Sequence, residues 1–538
     1  MSKSKSSKKN KSKKETSSVK VTRRNFADYI SQKNFALIFA LTYLVVVGIV
    51  SFVFHKVGDY GIETDFFWGF VPSAKKFLAG EIPMDPFRGP LYPMILGLLG
   101  FLLGDFFRAG ILIALISASI VIYFSFEMLK NIFSPVISFF VTFLLAVNTV
   151  FIQYSYSAGT DMFFNALATA TLFFFFKCRE FNYKNLIFAA FIGGLSYLTR
   201  YNGIFLAGFI FIILFVNYWK IDWIKRIKAS LLFGIVFFVT FSPWGFYCLS
   251  EKGSFFYNEN YKNIAFEIYG KGKISWDEFW FSGRSDINSL TQTITKDPEL
   301  FFSTVIGNIS DHFLKDMERL IEWPVGVFVI LGIFFLIISK PHKKWNEVET
   351  GYYIVNLFFF ALLLVVFYSE RFSIFLIPFY LLLAIQPFFI EKLKLSGLLP
   401  KNLRYVILSI LIVITSINSY TFNQENINSG PTELLALGEW YEANVSPEMK
   451  GKTVAARKAH VAYYLDMEFK LMPMADSYED FIKKLNENNI DYLYFGIVEA
   501  SFRNDLEFLI DPNSNHPGLE VVVYFNNPPS VLYKVLKN

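Results

Sequence analysis

The sequence predicts a polytopic α-helical membrane protein of about 11 spans, N-terminus inside and C-terminus outside, with a C-terminal extracytoplasmic α/β domain. Three observations predict it. The 538-residue chain is 54% hydrophobic and only 18% charged, with 65 Phe, whereas soluble domains carry about a quarter charged residues. Its apolar residues fall in runs close to the roughly 20 that cross about 30 Å of hydrocarbon. Its Lys and Arg gather in the short connections of one side, as the positive-inside rule describes. This composition excludes a cytosolic enzyme, a nucleic-acid binder or a disordered scaffold as the main reading.

Residues 1–34 hold 11 Lys/Arg against Glu15 and Asp28, a local charge of +9 within a chain total of +6. The remainder is therefore slightly acidic. The Ser/Lys-rich stretch 1–33 reads as a disordered cytoplasmic tail near anionic lipid. It lacks the pattern of a cleavable signal peptide, because the first apolar run is long enough to span and no small-residue cleavage site follows. Cys178 and Cys248 fall near opposite membrane faces, which argues against a disulfide and against a Cys-based metal site.

Spans are expected near 34–54, 108–129, 132–153, 161–177, 184–199, 202–219, 228–249, 323–340, 350–368, 372–390 and 404–421. Residues 91–104, LYPMILGLLGFLLG, would reach only about 21 Å as a helix and read as interfacial or re-entrant. With that choice the short inner connections hold 15 Lys/Arg and the short outer ones only Arg200 and Arg371. Counting 91–104 as a span would invert every later segment and turn the 15 outward.

The membrane domain thus covers 34–423, with outer loops at about 55–107 and 250–322, and the C-terminal domain covers 424–538. The end of the second loop places Phe302, Ile306, Ile309, Phe313, Met317 and Leu320 at helical spacing, predicting an amphipathic helix on the membrane. In the C-terminal region KTVAA, EFKLMPM, DYLYFGIV, LEVVVYF and SVLYKVL read as strands. Intervening helical patterns make this an α/β unit, with no glycine-rich phosphate loop.

Chemistry is expected on the outer face. The first loop carries Asp59, Glu63, Asp65, Glu81 and Asp85. A carboxylate at the mouth of an apolar bundle is partly desolvated, which raises its pKa and suits a general base. Asp59, Glu81 and Asp85 read as solvated loop acids. For Asp65, followed by FFWGF, position leaves base and loop acid equally open. Arg88, in PFRGPLYP, precedes the short helix. Arg200 and Arg371 sit at outer turns. Each arginine reads either as interfacial snorkelling or as a guanidinium fork for a lipid-linked phosphate. Asp161 starts a span, where an N-cap role with Thr160 is the simpler account. His312 and the other four His show no zinc spacing. Trp244 reads as an interfacial anchor. SFFYNENYKN, 254–263, suits sugar stacking and hydrogen bonding or a loop resting on the bilayer.

Taken in order, TDFFWGFVPSAKKFLAGE with RGPLYPMILGLLGFLLGD, then NTVFIQYSYSAGTDMFFNALATATLF, GGLSYLTRYNGIFLAGF, SPWGFY and ERFSIFLIPFYLLLA resemble the GT-C superfamily of lipid-phosphosugar-dependent glycosyltransferases. Within it the likeness is to the protein mannosyltransferase and aminoarabinose transferase-like branch. The resemblance implies a polyprenyl-phosphate sugar donor, transfer on the outer face of the cytoplasmic membrane, and a protein, lipid or polysaccharide acceptor. It makes Asp65 the catalytic base and Asp161 a second acidic position. It places Arg200 and Arg371 near the donor phosphate, with Arg88 as a further candidate. Phe66 stands where the family often has Glu after the Asp, and Gly89 where it often has Pro. No metal-ligand set is evident; no cofactor is implied, although first-loop carboxylates leave a divalent cation open. A transporter or flippase of a lipid-linked saccharide is the alternative, favoured less because the spans hold little mid-depth charge. An assembly or receptor protein acting through its C-terminal domain is a third class.

Overall fold

A computed structural model describes residues 26–177, 182–215, 222–281, 287–339, 346–389, 401–514 and 516–537. The tail up to residue 25, Cys178 and the segments 178–181, 216–221, 282–286, 340–345 and 390–400 lie outside the described residues. Within the stretch 1–33, the described residues begin at Phe26. Phe26–Ile30 is helical and Ile30, 1% exposed, packs against Phe126. Apolar contact with Ala36 and Phe126 fixes Ile30.

Among the described residues each of the eleven apolar runs is helical over most of its length. Phe35–Val53 shows how they are built. Ala36, Ala40, Tyr43, Val47 and Ser51 face the bundle, while Leu37, Ile38, Leu41, Val45 and Ile49 are exposed on the opposite side. An apolar helix whose outer face is also apolar is suited to lipid rather than water. Among the described residues five helices are long and apolar enough to cross a membrane: Phe35–Val53, Phe106–Ile132, Trp223–Lys252, Glu370–Phe389 and Leu403–Asn444; the bent pair described below makes six if it is one span. Thr160–Phe176 and Tyr183–Thr199 have 17 residues each, about 26 Å. Thr160–Phe176 lies deep in the bundle, with 14 of its residues buried.

Two runs depart from a straight span. Residues 132–153 form two helices, Pro135–Ala146 and Thr149–Tyr156, bent by 60°. Asn148 makes the break: its side chain accepts from Phe151 N–H at 2.9 Å and donates to the Leu320 carbonyl at 2.8 Å. A polar side chain that caps the second helix and bonds a distant backbone oxygen outcompetes helix continuation. The run expected over 350–368 ends as a helix at Leu363, and the chain then crosses toward Arg371 without regular structure.

Leu91–Leu103 is a short helix ended by Gly104 in the left-handed region, φ 70°. Phe101 and Leu102 are about 70% exposed on one side, and Tyr92 and Leu96 are buried on the other. The expected amphipathic helix spans Pro298–Lys315 and continues as a π-helical turn over Asp316–Leu320. Its stripe divides. Phe302, Ile306 and Ile309 point outward, whereas Met317 and Leu320 are fully buried.

The C-terminal region forms one sheet of five strands: β1 (Thr453–Ala456), β2 (Glu468–Leu471), β3 (Tyr492–Gly496), β4 (Leu519–Asn526) and β5 (Pro529–Val535). Their order is β2-β1-β3-β5-β4. β1 pairs parallel with β2 and β3, and β5 pairs antiparallel with β3 and β4. Short connections permit the antiparallel β4–β5 hairpin, while the helices His460–Tyr464 and Tyr478–Glu487 carry the parallel crossovers. One face of the sheet packs on residues from the first loop: Val57 belongs to the same apolar cluster as Leu434, Leu437, Val454 and Tyr494.

Candidate active site

The first loop is folded by its own acids. Asp59 Oδ1 accepts the N–H groups of Gly61 at 2.6 Å and Ile62 at 2.7 Å, closing a turn. Glu63 is fully buried and accepts from Asp59 N–H at 2.8 Å, from Ala158 N–H, and stands 3.1 Å from His55 Nε2. It thus ties the loop to the residues leading into Thr160–Phe176. Asp65 follows at the start of a π-helical turn, Phe66–Phe70. Phe66, where a second acid was the family expectation, is fully buried and touches the space above Gly110.

Asp65 is held between two guanidinium groups. Arg88 Nη2 donates to Oδ1 at 2.9 Å and Arg371 Nη1 donates to Oδ2 at 2.9 Å. Burial alone would raise this carboxyl; Arg371 and Arg88 outweigh burial and hold it at about 2. Arg88 is itself set by Asp85, whose Oδ2 accepts Nη1 at 2.7 Å and whose Oδ1 accepts the Phe87 and Arg88 N–H groups at 2.7 and 3.0 Å. Burial works against the Arg88 charge, and Asp65 with Asp85 more than restores it.

Asp85 therefore corrects the expectation of a solvated acid. Its role was visible only as spacing: an Asp three residues before an Arg, in a Pro-bounded turn. Asp161 is corrected as well. Gly159, not Thr160 or Asp161, precedes the helix, no side chain caps it, and the Asp161 carboxylate pairs with Arg200. The ring of Phe372 lies 5.4 Å from the Arg200 guanidinium carbon and 5.1 Å from that of Arg371, so both cations share one aromatic ring.

Asp65, Arg88, Asp161, Arg200 and Arg371 all line a single cavity of about 790 Å³. Asn258, Asn260, Tyr261 and Asn263 from the second loop line it too. That loop is pinned to the Arg88 turn by Glu259 N–H, which donates to the Pro86 carbonyl at 2.8 Å, and the preceding helix is tied to the first loop by Tyr247 Oη, which donates to the Ile82 carbonyl at 3.1 Å. Phe205, Phe256 and Leu290, all about half exposed, form apolar wall at its edge. Trp244, expected as an interfacial anchor, is 8% exposed and stacks near Tyr247 instead. Among the described residues no group of three or more His, Cys, Asp or Glu is placed to hold a metal ion. Both Asp65 oxygens already face guanidinium cations, an arrangement that repels a divalent ion.

Gly89 explains how Arg88 reaches this place. A Cβ there would strike the Leu198 carbonyl and the Thr199 backbone, so the turn lies directly on the segment leading into Arg200. Gly89→Ala should push the turn outward and lower turnover by on the order of 10-fold to 100-fold through misplacement of Arg88. The protein should still fold, which thermal unfolding in detergent would check.

Residues 86–247, which include Arg88, Asp161 and Arg200, match the family described as dolichyl-phosphate-mannose-protein mannosyltransferase. No curated protein matches the chain by sequence. Among solved structures, ArnT from Cupriavidus metallidurans bound to undecaprenyl phosphate superposes with a TM-score of 0.58 at 12% identity, covering 94% of this chain and 98% of that one. The chain has the GT-C fold. The Archaeoglobus fulgidus oligosaccharyltransferase in its apo form also matches, with a TM-score of 0.55 at 12% identity over 88% of this chain and 71% of that one. The GT-C match runs nearly end to end along ArnT, so it takes in the C-terminal sheet as well as the helices.

Proposed function

We propose that the chain is a membrane glycosyltransferase that moves a sugar from a polyprenyl-phosphate donor to an acceptor hydroxyl on the outer face of the cytoplasmic membrane. The observation that carries this reading is the cavity in which Asp65 is flanked by Arg88 and Arg371, with the Asp161–Arg200 pair alongside. Guanidinium forks suit a phosphate. The apolar edge suits a lipid chain, and the Asn-rich segment 258–263 suits sugar hydroxyls.

A carboxylate held at about 2 is a weak base. The two arginines supply the remedy. A donor phosphate competes with Asp65 for the Arg88 and Arg371 forks. Each hydrogen bond transferred to phosphate releases Asp65 toward the ordinary carboxylate range and raises its basicity. Asp65 then takes the proton of the acceptor hydroxyl, and the acceptor oxygen bonds to the anomeric carbon. The bond from that carbon to the phosphate oxygen breaks, and its electron pair leaves on polyprenyl phosphate. Arg88 and Arg371 stabilise the second negative charge that develops there. Displacement in one step inverts the anomeric centre.

The test is transfer by membranes supplied with synthetic polyprenyl-phosphate sugars carrying a radiolabel. Labelled acceptor and free polyprenyl phosphate are expected in equal amounts; relocation of intact donor would instead mark a flippase. The pH profiles carry the mechanism. Asp65 is depressed in the free protein, so it stays ionised above its folded pKa and loses charge only as pH falls through about 2. The kcat/KM profile should therefore show no acid limb from Asp65 at mildly acid pH. The kcat profile, which reports the donor complex, should show its acid limb at higher pH.

A further inference from the structure

We propose that the C-terminal domain is part of the catalytic apparatus: Lys458 and His460 are positioning residues that fix Asp65 through the first loop. This rests on the assignment of Asp65 as base.

The contacts bracket Asp65 on both sides. Lys458 Nζ donates to the Tyr60 carbonyl at 2.7 Å and to the Thr64 hydroxyl at 3.0 Å. Thr64 Oγ1 donates in turn to the same Tyr60 carbonyl at 2.5 Å. The ammonium therefore stitches the two ends of the turn that ends one residue before Asp65. His460 holds the other side. Its ring lies 4.2 Å from Phe67, two residues after Asp65, and 4.9 Å from Tyr60 in an edge contact. His460 Nε2 is 3.0 Å from the Asp59 carbonyl, so it donates there. Burial drives the His460 pKa down to about 3, which keeps the ring neutral and its N–H in place across physiological pH.

Further contacts make the docking broad. Tyr60 Oη donates to Glu433 Oε1 at 3.3 Å, and Val57 is built into the apolar core beneath the sheet. Tyr463 Oη donates to Asp105 Oδ1 at 3.1 Å and accepts from Phe107 N–H at 3.2 Å. Tyr463 also meets the Phe67 ring at 5.0 Å, and Phe469 meets Trp68 at 5.3 Å. Lys458 and His460 add hydrogen bonds to the backbone carbonyls of the turn that leads into Asp65. Their spacing follows from the fold. β1 ends at Ala456, the chain emerges from the C-terminal end of a parallel strand, and residues 457–460 are delivered onto the loop. The C-terminal ends of parallel strands are where α/β sheets commonly place their working residues. Here the thing held is a loop of the same chain.

The consequence is mechanistic. Asp65 must lie within reach of both guanidinium forks and of an acceptor hydroxyl. A shift of about 1 Å in such a group costs on the order of 100-fold in rate. The experiment compares Lys458→Met, Lys458→Arg, His460→Ala, Lys75→Ala and Asp65→Asn in the full-length protein, each measured for kcat, for donor KM and for thermal unfolding in detergent. Lys75→Ala removes the exposed Lys75–Asp466 pair, 2.8 Å long, and serves as the control for weaker domain docking alone. Lys458→Met and His460→Ala are expected to lower kcat on the order of 10-fold to 100-fold with donor KM changed less than about threefold. Lys458→Arg should recover part of the loss, and Lys75→Ala should stay near wild type. The inference is overturned if Lys458→Met and His460→Ala turn over normally while Asp65→Asn is inactive. It is equally overturned if their losses follow lowered unfolding temperature and are matched by Lys75→Ala. Normal turnover by Asp65→Asn would instead remove the base assignment itself.

Discussion

Asp65→Asn is expected to lower kcat by on the order of 10³-fold, the middle of the range for a lost general base, while donor KM falls. The two effects have one origin. The amide cannot accept a proton from the acceptor. It also no longer neutralises Arg88 and Arg371, which now bond Asp65 at 2.9 Å each. A donor phosphate would meet both guanidinium groups without competition from Asp65, Asp85 remaining on Arg88 alone, and bind more tightly. A lower kcat accompanied by a lower KM is the signature of a group that opposes ground-state binding and promotes the chemical step. Steady-state kinetics with a synthetic donor would read both values. A fall in kcat with a large rise in KM would mean that Asp65 serves to hold substrate.

Arg371→Ala should lower kcat/KM for the donor by on the order of 10² to 10³-fold, the cost of removing one aimed donor from a developing oxyanion. Asp65 would keep only Arg88 as a cationic partner, so its pKa should rise from about 2 toward the ordinary carboxylate range. The variant thus has a stronger base and a weaker phosphate site. If leaving-group stabilisation limits the rate, activity collapses despite the improved base. If proton removal limits it, the loss is small. Arg371→Lys should recover only part of the activity, because an ammonium supplies the charge without the planar fork. The same assay decides all three, with donors whose phosphate leaves more or less readily.

Arg371 shows what a linear reading could reach. It stood out because, in the expected topology, the short outer connections hold only Arg200 and Arg371, against 15 Lys/Arg in the inner ones. A cation on the side that positive-inside sorting disfavours needs another reason to be there. Asp65 was singled out by its apolar neighbours FFWGF. These signals are local, so they could name residues and not partners. Nothing along the chain shows that Arg371 meets a carboxylate 306 positions away. Asp85 passed as an ordinary loop acid and Glu63 drew no reading of its own, because an acid that orders a turn and one that faces water look alike in sequence. Lys458 was missed altogether. One lysine after a strand carries no mark until the loop it grips is known.

Helices and strands were legible for a related reason. The C-terminal strands stand where alternation put them, and among the described residues each apolar run is helical over most of its length. The break at Asn148 was not legible, since it depends on a hydrogen bond to Leu320, 172 positions on.

The sequence by itself determined that this protein lives in a membrane, which segments coil within it and which form a sheet. Composition and periodicity act over neighbouring residues and persist in any arrangement of the helices. Only the tertiary structure decided that one acid lies between two arginines, and that a sheet from the far end of the chain presses on its loop. Those contacts exist because packing brings together groups separated by hundreds of residues, where charge and hydrogen bonding depend on position in space alone.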